Sequence, residues 1–244
     1  MGLRRARGGS TPSRRLCARA AERRHRTAQR IEKSFQHPHA ILALVSAEPA
    51  RDAAARRNAP EVEAAFDAAP PEVIAEILDG ELFTFPRPAR PHTRSASRLL
   101  MKLGGAFDLG DKGPGGWVIL TEPELHLGPM PDKLVPDLAA WRRERMPDAL
   151  GSDETPAHYE IAPDWICEIV SPRTERVDRG KKMRIYRRES VGHAWLLSPL
   201  HQTLEVYRLE NGRWTLLETY EENAVVRAEP FDDIELDLAA VWAK

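Results

Sequence analysis

A mixed α/β fold is expected from three features of the sequence. Short apolar runs of strand length recur, and Gly, Pro or Asn residues close many of them. Two longer stretches, 92–107 and 178–189, read as helices between those runs. Apolar residues make up 42% of the 244 and charged residues 30%, so a core can be buried beneath a charged surface. The same numbers exclude collagen-like and wholly disordered chains. No apolar run approaches the roughly 20 residues that a bilayer-spanning helix needs, so no membrane is expected as a partner.

The elements follow in order. Val73–Leu78 and Glu81–Phe85 predict two strands joined by Asp79-Gly80, a pair that tolerates the positive φ of a tight hairpin. Pro86, Pro88 and Pro91 stop the second strand. From His92 to Phe107, Leu99, Leu100, Leu103 and Phe107 form an apolar helical stripe. A glycine-rich loop spans 110–116. Strands are expected at Trp117–Leu120, Glu124–Leu127 and Lys133–Ala140, then a long loop over 141–163. Trp165–Val170 has the mostly apolar character of a buried central strand. A helix over Asp178–Glu189 follows, then strands His193–Leu197, Thr203–Leu209 and Arg213–Tyr220. Asn211-Gly212 turns the last pair. Leu236–Trp242 predicts a closing helix.

Charge divides the chain. The formal net charge is −1, yet residues 1–33 carry eleven Lys/Arg against two acids, a balance of +9. The rest carries 25 basic and 35 acidic residues, a balance of −10. The basic arm has few large apolar residues, so disorder is its default. Clustered arginines suit phosphate binding, but a nonfunctional tail or a translated upstream stretch is the favoured reading. No apolar segment follows the arginines, so a secretory signal is not expected. A short helix fits 38–48, and 49–70 reads as an alanine-rich linker with a helix at 61–68. The sequence thus divides into a basic extension and linker, 1–70, and a domain, 71–244. Cys17 and Cys167 offer neither a disulfide framework nor zinc spacing, which suits a reducing cytoplasm.

Three features carry chemistry. Val135-Pro136-Asp137-Leu138 sets an acid beside a proline on a short apolar segment. Glu168 lies inside the run WICEIV, where a buried carboxylate is costly unless paired or metal-bound. Asp178, Lys182 and Tyr186 share one helical face at i, i+4 and i+8. Two acids and a lysine fit a hydrolase that uses Mg²⁺ or Mn²⁺. A nearby lysine can orient the attacking water, or deprotonate it if its pKa is lowered. Structural readings stand beside these. Asp137 can cap a turn, Glu168 can pair with Lys182, and an Asp178–Lys182 pair contributes only about 0.2–0.5 kcal/mol.

Residues 72–242 resemble the Uma-two family of restriction-endonuclease-like proteins, within the PD-(D/E)xK phosphodiesterase superfamily. The resemblance rests on Glu76-Ile77-Leu78-Asp79-Gly80-Glu81-Leu82, Pro91-His92, Val135-Pro136-Asp137, Glu168-Ile169-Val170-Ser171-Pro172-Arg173-Thr174, the Asp178/Lys182/Tyr186 helix, and loosely on Val191–Leu196. It implies a restriction-endonuclease-like core with flanking helices. It also implies metal-binding acids at Asp137 and Glu168, and Mg²⁺ or Mn²⁺ as cofactor. The superfamily lysine ordinarily lies two positions after the second acid, where this chain has Val170. Lys182 stands in for it, with Lys181 ranked below. Glu81 and His92 match positions near the site, and Glu122 is a further acid nearby. The implied substrate is nucleic acid, DNA above all, for a cytoplasmic protein that can work as a homodimer.

Other motifs are weaker. Gly113–Gly116 lacks the lysine ending of a phosphate loop. His126, His158, His193 and His201 show no metal-ligand spacing, the tryptophans suit core packing, and Cys167 alternates away from Glu168. The competing functional readings are a nuclease-fold protein that binds nucleic acid or a protein without cutting, and a hydrolase of another substrate. Arginines at 173, 176, 179 and 184, with Lys181, supply positive charge beside the expected site.

Overall fold

The computed structural model describes residues 59–146 and 156–242. The basic arm, the helix expected at 38–48, most of the linker and positions 147–155 lie outside the described residues.

Two mixed sheets organise the domain. The first contains β1 (Val73–Leu78), β2 (Glu81–Pro86), β4 (Glu124–Leu127), β5 (Asp132–Leu134) and β7 (His158–Tyr159), in the order β2-β1-β5-β4-β7. The second contains β3 (Trp117–Thr121), β6 (Leu138–Arg142), β8 (Trp165–Ile169), β9 (His193–Ser198), β10 (Thr203–Glu210) and β11 (Arg213–Glu221), in the order β11-β10-β9-β8-β6-β3. One parallel pair occurs in each, β4 with β7 and β8 with β9. The expected mixed α/β class is therefore what the chain adopts.

Both hairpin turns form as their dipeptides predict. Asp79 and Gly80 have φ of 53° and 78°, and Asn211 and Gly212 have 51° and 72°. The helix expected from His92 begins at Arg90, runs to Leu103 as α2 and ends in a π turn, Gly104–Asp108. Ahead of it, α1 (Pro60–Asp67) opens on a proline, whose missing N–H costs nothing in a first turn. This helix is tied to the first sheet. Lys133 Nζ lies 2.6 Å from Glu63 Oε2 and 4.3 Å above the Phe66 ring.

Three expectations need correction. The strand expected over Lys133–Ala140 is two strands in two different sheets, with a break at Val135-Pro136-Asp137. Pro136 has no N–H for a ladder, and the chain uses that point to cross between sheets. The loop expected over 141–163 instead starts with the end of β6, adds a 3₁₀ turn at Arg143–Arg145 and later contains β7. The closing helix shrinks to Leu238–Val241, because Leu236–Asp237 pairs with Val225–Val226 and Asp237 Oδ1 then accepts the Ala239 N–H at 3.0 Å.

The second sheet is the middle layer, and alternation along its strands sorts two cores. Leu138, Ala140, Trp165, Cys167, Ile169, Trp195 and Leu197 pack with Leu99 and Leu103 of α2. Here Trp165 meets Trp195 edge-on, with centroids 5.2 Å apart. Ala139, Trp141, Ile166, Val170, Ala194 and Leu196 pack on the other side with Leu78, Leu125 and Leu134 of the first sheet. Glu168 alternates onto that second side, between the sheets.

Candidate active site

A cleft of about 400 Å³ opens where the crossing segment meets the ends of β1 and β8. Its polar lining includes Glu76, His92, Asp137, Glu168, Asp178 and Lys182, and its mouth carries Arg87 and Arg173. Backbone geometry explains the convergence. β6 and β8 run antiparallel with Leu138 opposite Cys167, so one step further Asp137 stands opposite Glu168. Asp137 Oδ2 accepts the Ile169 N–H at 2.6 Å, and its Oδ1 is 3.1 Å from His92 Nε2.

Lys182 comes from a π turn, Asp178–Lys182, set between α3 (Glu175–Val177) and α4 (Met183–Arg188). An α-helix without interruption was expected here. Single π turns of this kind often occur at functional positions. Lys182 Nζ lies 2.9 Å from Glu168 Oε1, 3.1 Å from Glu76 Oε1 and 3.9 Å from Asp178 Oδ1. It also donates to the Val135 carbonyl at 3.3 Å. Tyr186 Oη donates to Glu168 Oε1 at 2.5 Å. Asp178, Lys182 and Tyr186 thus share the face that their spacing indicated.

Glu76 is the residue that sequence reading missed as a site candidate. It is 2% exposed, and its Oε1 accepts the Val135 N–H at 2.7 Å. The available signal was a lone acid in the apolar run VIAEIL, the same signal that marked Glu168. Glu81 lies five positions on, at the turn end of the same hairpin. Its side chain is 66% exposed, and it binds Lys181 at 2.8 Å, outside the cleft lining. Glu122 follows β3 at φ 46°; its backbone N–H donates to the Asp137 carbonyl at 3.1 Å, and its charge acts on His92.

The electrostatics are those of a crowded acidic pocket. Burial, with the charges of Asp178, Asp137 and Glu76, pushes Glu168 well above the carboxylate range, against the pull of Lys182. Burial also lifts Asp178, to about 6, although Lys182 and a Thr174 hydrogen bond oppose it. Burial alone would lower Lys182, but Glu168, Glu76, Tyr186 and Asp178 outweigh it and raise it. Lys182 is therefore a fixed ammonium and not a base. Burial would lower His92 too, and the hydrogen bond and charge of Asp137 overcome that and raise it. His92 Nδ1 is buried without a hydrogen-bond partner among the described residues. Cys167 takes no part, since burial pushes its thiol up and its side chain packs in the opposite core.

Comparison with known proteins identifies a family and a shared fold. A family model described as "Putative restriction endonuclease", Uma2, matches residues 61–239. Among solved structures, a "putative nuclease" of DUF820 from Anabaena variabilis ATCC 29413 is similar, with a TM-score of 0.58 and 22% identity. The match covers 72% of this chain and 93% of that one, and it shows a shared fold. No curated protein matches the chain. With the family model covering most of its length, the chain belongs to the Uma2 family.

Proposed function

We propose that this protein is a divalent-metal-dependent nuclease that hydrolyses phosphodiester bonds in nucleic acid, with DNA the first substrate to test. The observation that carries the reading is the Lys182 ammonium held between Glu168 and Glu76, with Asp137 opposite Glu168, at the floor of an open cleft. Four carboxylates face one lysine and one histidine there, an excess of negative charge that a cation relieves. The donors are carboxylate oxygens, which suit Mg²⁺ or Mn²⁺. Asp137 and Glu168 would hold the ion. When bound, it supplies Lewis-acid stabilisation of the phosphoryl oxygens and lowers the pKa of its water.

The protein's own groups do the rest. Lys182, kept charged by its neighbours, lends positive charge to the oxygens that become more negative in the transition state. Tyr186 and Lys182 both hold Glu168 through Oε1, which fixes the carboxylate and spares its second oxygen. Asp137 is fixed through both oxygens, Oδ2 by the Ile169 N–H and Oδ1 by His92. Arg87 and Arg173, exposed in the cleft lining, would meet the phosphate backbone. A cytoplasmic homodimer carrying two such clefts would reach both strands of a duplex.

A second reading has one observation in its favour. Lys182 already directs its ammonium at Glu168, Glu76 and the Val135 carbonyl, as many partners as it has donors. On that reading the cluster braces the crossing segment, and the protein binds nucleic acid without cutting. Incubation of the full chain with single- and double-stranded DNA and RNA, with and without Mg²⁺ or Mn²⁺, separates the two. Metal-dependent cleavage that Asp137→Ala and Glu168→Ala both abolish supports the nuclease. Cleavage that survives both substitutions would falsify the site, and binding without cleavage under any metal selects the second reading.

A further inference from the structure

A second cluster of ligand-type side chains lies away from the cleft. Glu124 and His126 occupy one face of β4, while Leu125 and Leu127 between and beyond them are buried in the core. β7 joins β4 in parallel and sets His158 opposite Glu124. Ligand atoms of Glu124, His126 and His158 consequently all lie within 4.8 Å of one another. The two imidazoles stack with centroids 3.7 Å apart and planes 9° from parallel, and His126 Nε2 lies 2.7 Å from Glu124 Oε1. No metal spacing is visible in the sequence, because His158 reaches the group only through strand pairing.

The group is separate from the candidate active site. His126 pairs with Lys133, and Lys133 with Ile77, so these three side chains share one face of the first sheet. Glu76, one residue before Ile77, therefore points to the opposite face, into the cleft. The neighbouring cation, Lys133, is engaged by Glu63 and Phe66 of α1. Glu160 adds a further carboxylate, 3.6 Å from His158 Nε2. Glu124, His126 and His158 are all half-buried, which leaves room for solvent at an open position.

We propose that Glu124, His126 and His158 form a Zn²⁺ site with two imidazole ligands and one carboxylate, and water in the fourth position. Imidazole selects zinc over Mg²⁺, which prefers oxygen throughout. The ion joins β7, a two-residue edge strand paired at only two positions, to β4. Its role is to hold that edge, and it stands or falls independently of nuclease activity.

The test is calorimetric titration of Zn²⁺ into the metal-stripped full chain, with excess Mg²⁺ present to occupy oxygen-only sites. The wild type should bind one equivalent that His126→Ala and His158→Ala each weaken by more than about tenfold. Asp137→Asn should keep that equivalent. Glu124→Gln, which preserves side-chain shape, should also weaken it. Zn²⁺ should raise the Tm of the wild type and not that of His158→Ala, with the two melting alike in its absence. The site is overturned if the wild type takes up no Zn²⁺, if both histidine variants bind as the wild type does, or if Asp137→Asn removes the equivalent.

Discussion

Lys182 Nζ and Glu168 Oε1 lie 2.9 Å apart, and both side chains are almost fully removed from water. A pair this deep is costly to desolvate and costlier to break, since each partner alone is an uncompensated buried charge. Glu76 shares the ammonium at 3.1 Å, so the three residues respond together to any change at one of them.

Lys182→Met should destabilise the protein by about 3–5 kcal/mol at pH 8, because it leaves the Glu168 and Glu76 carboxyls buried without their cation. The loss should shrink in acid as those groups protonate. Urea denaturation at pH 8 and pH 5 measures both values. An equal loss at the two pH values would mean that packing, and not charge, is what Lys182 supplies.

Tyr186→Phe removes only the hydroxyl that donates to Glu168 at 2.5 Å. Hydrogen bonds to charged groups contribute about 1.5–3 kcal/mol, and a loss in that range is expected. Cleavage should slow while metal affinity stays within a few-fold, because Asp137 and Glu168 remain. Parallel denaturation, metal titration and cleavage rates test this separation.

Asp178 has a pH signature. Folding lifts its carboxyl from the ordinary 3.8 to about 6, mainly through burial. Between those values the folded state holds more protons than the unfolded one, so this group's contribution to stability falls as pH rises. Its stabilising effect is fully present below about pH 4 and is lost as pH passes through about 6. Asp178→Asn should remove that decline and gain on the order of 2 kcal/mol over the wild type above pH 6. Melting temperatures of both proteins from pH 4 to pH 8 give the curve, and parallel curves would contradict it.

Glu76 and Glu81 provide a contrast within one hairpin. Glu76→Gln should cost at least about 1–3 kcal/mol, since it weakens the acceptor for Val135 and the partner of Lys182. It should also reduce cleavage strongly. Glu81→Gln touches an exposed ion pair, worth about 0–1 kcal/mol at most, and should leave the cleavage rate within about twofold. A larger effect at position 81 would bring Glu81 into the reaction.

Much of the molecule was written locally. Asp79-Gly80 and Asn211-Gly212 specified their turns because positive φ is a property of those residues themselves. The apolar run WICEIV announced a central strand, and the lone acid in it announced a special environment. The spacing of Asp178, Lys182 and Tyr186 marked a shared face, although not the π turn inside it. Folding settled what depends on partners distant in sequence. It split 133–140 between two sheets at Pro136, drew Glu76 into the cleft and left Glu81 at the hairpin tip. It kept Lys182 charged, and it set His158 beside His126. Turn chemistry and periodicity act over a few residues. Strand register, burial and the summed field of neighbouring charges act across the whole domain, and they exist only once the sheets have assembled.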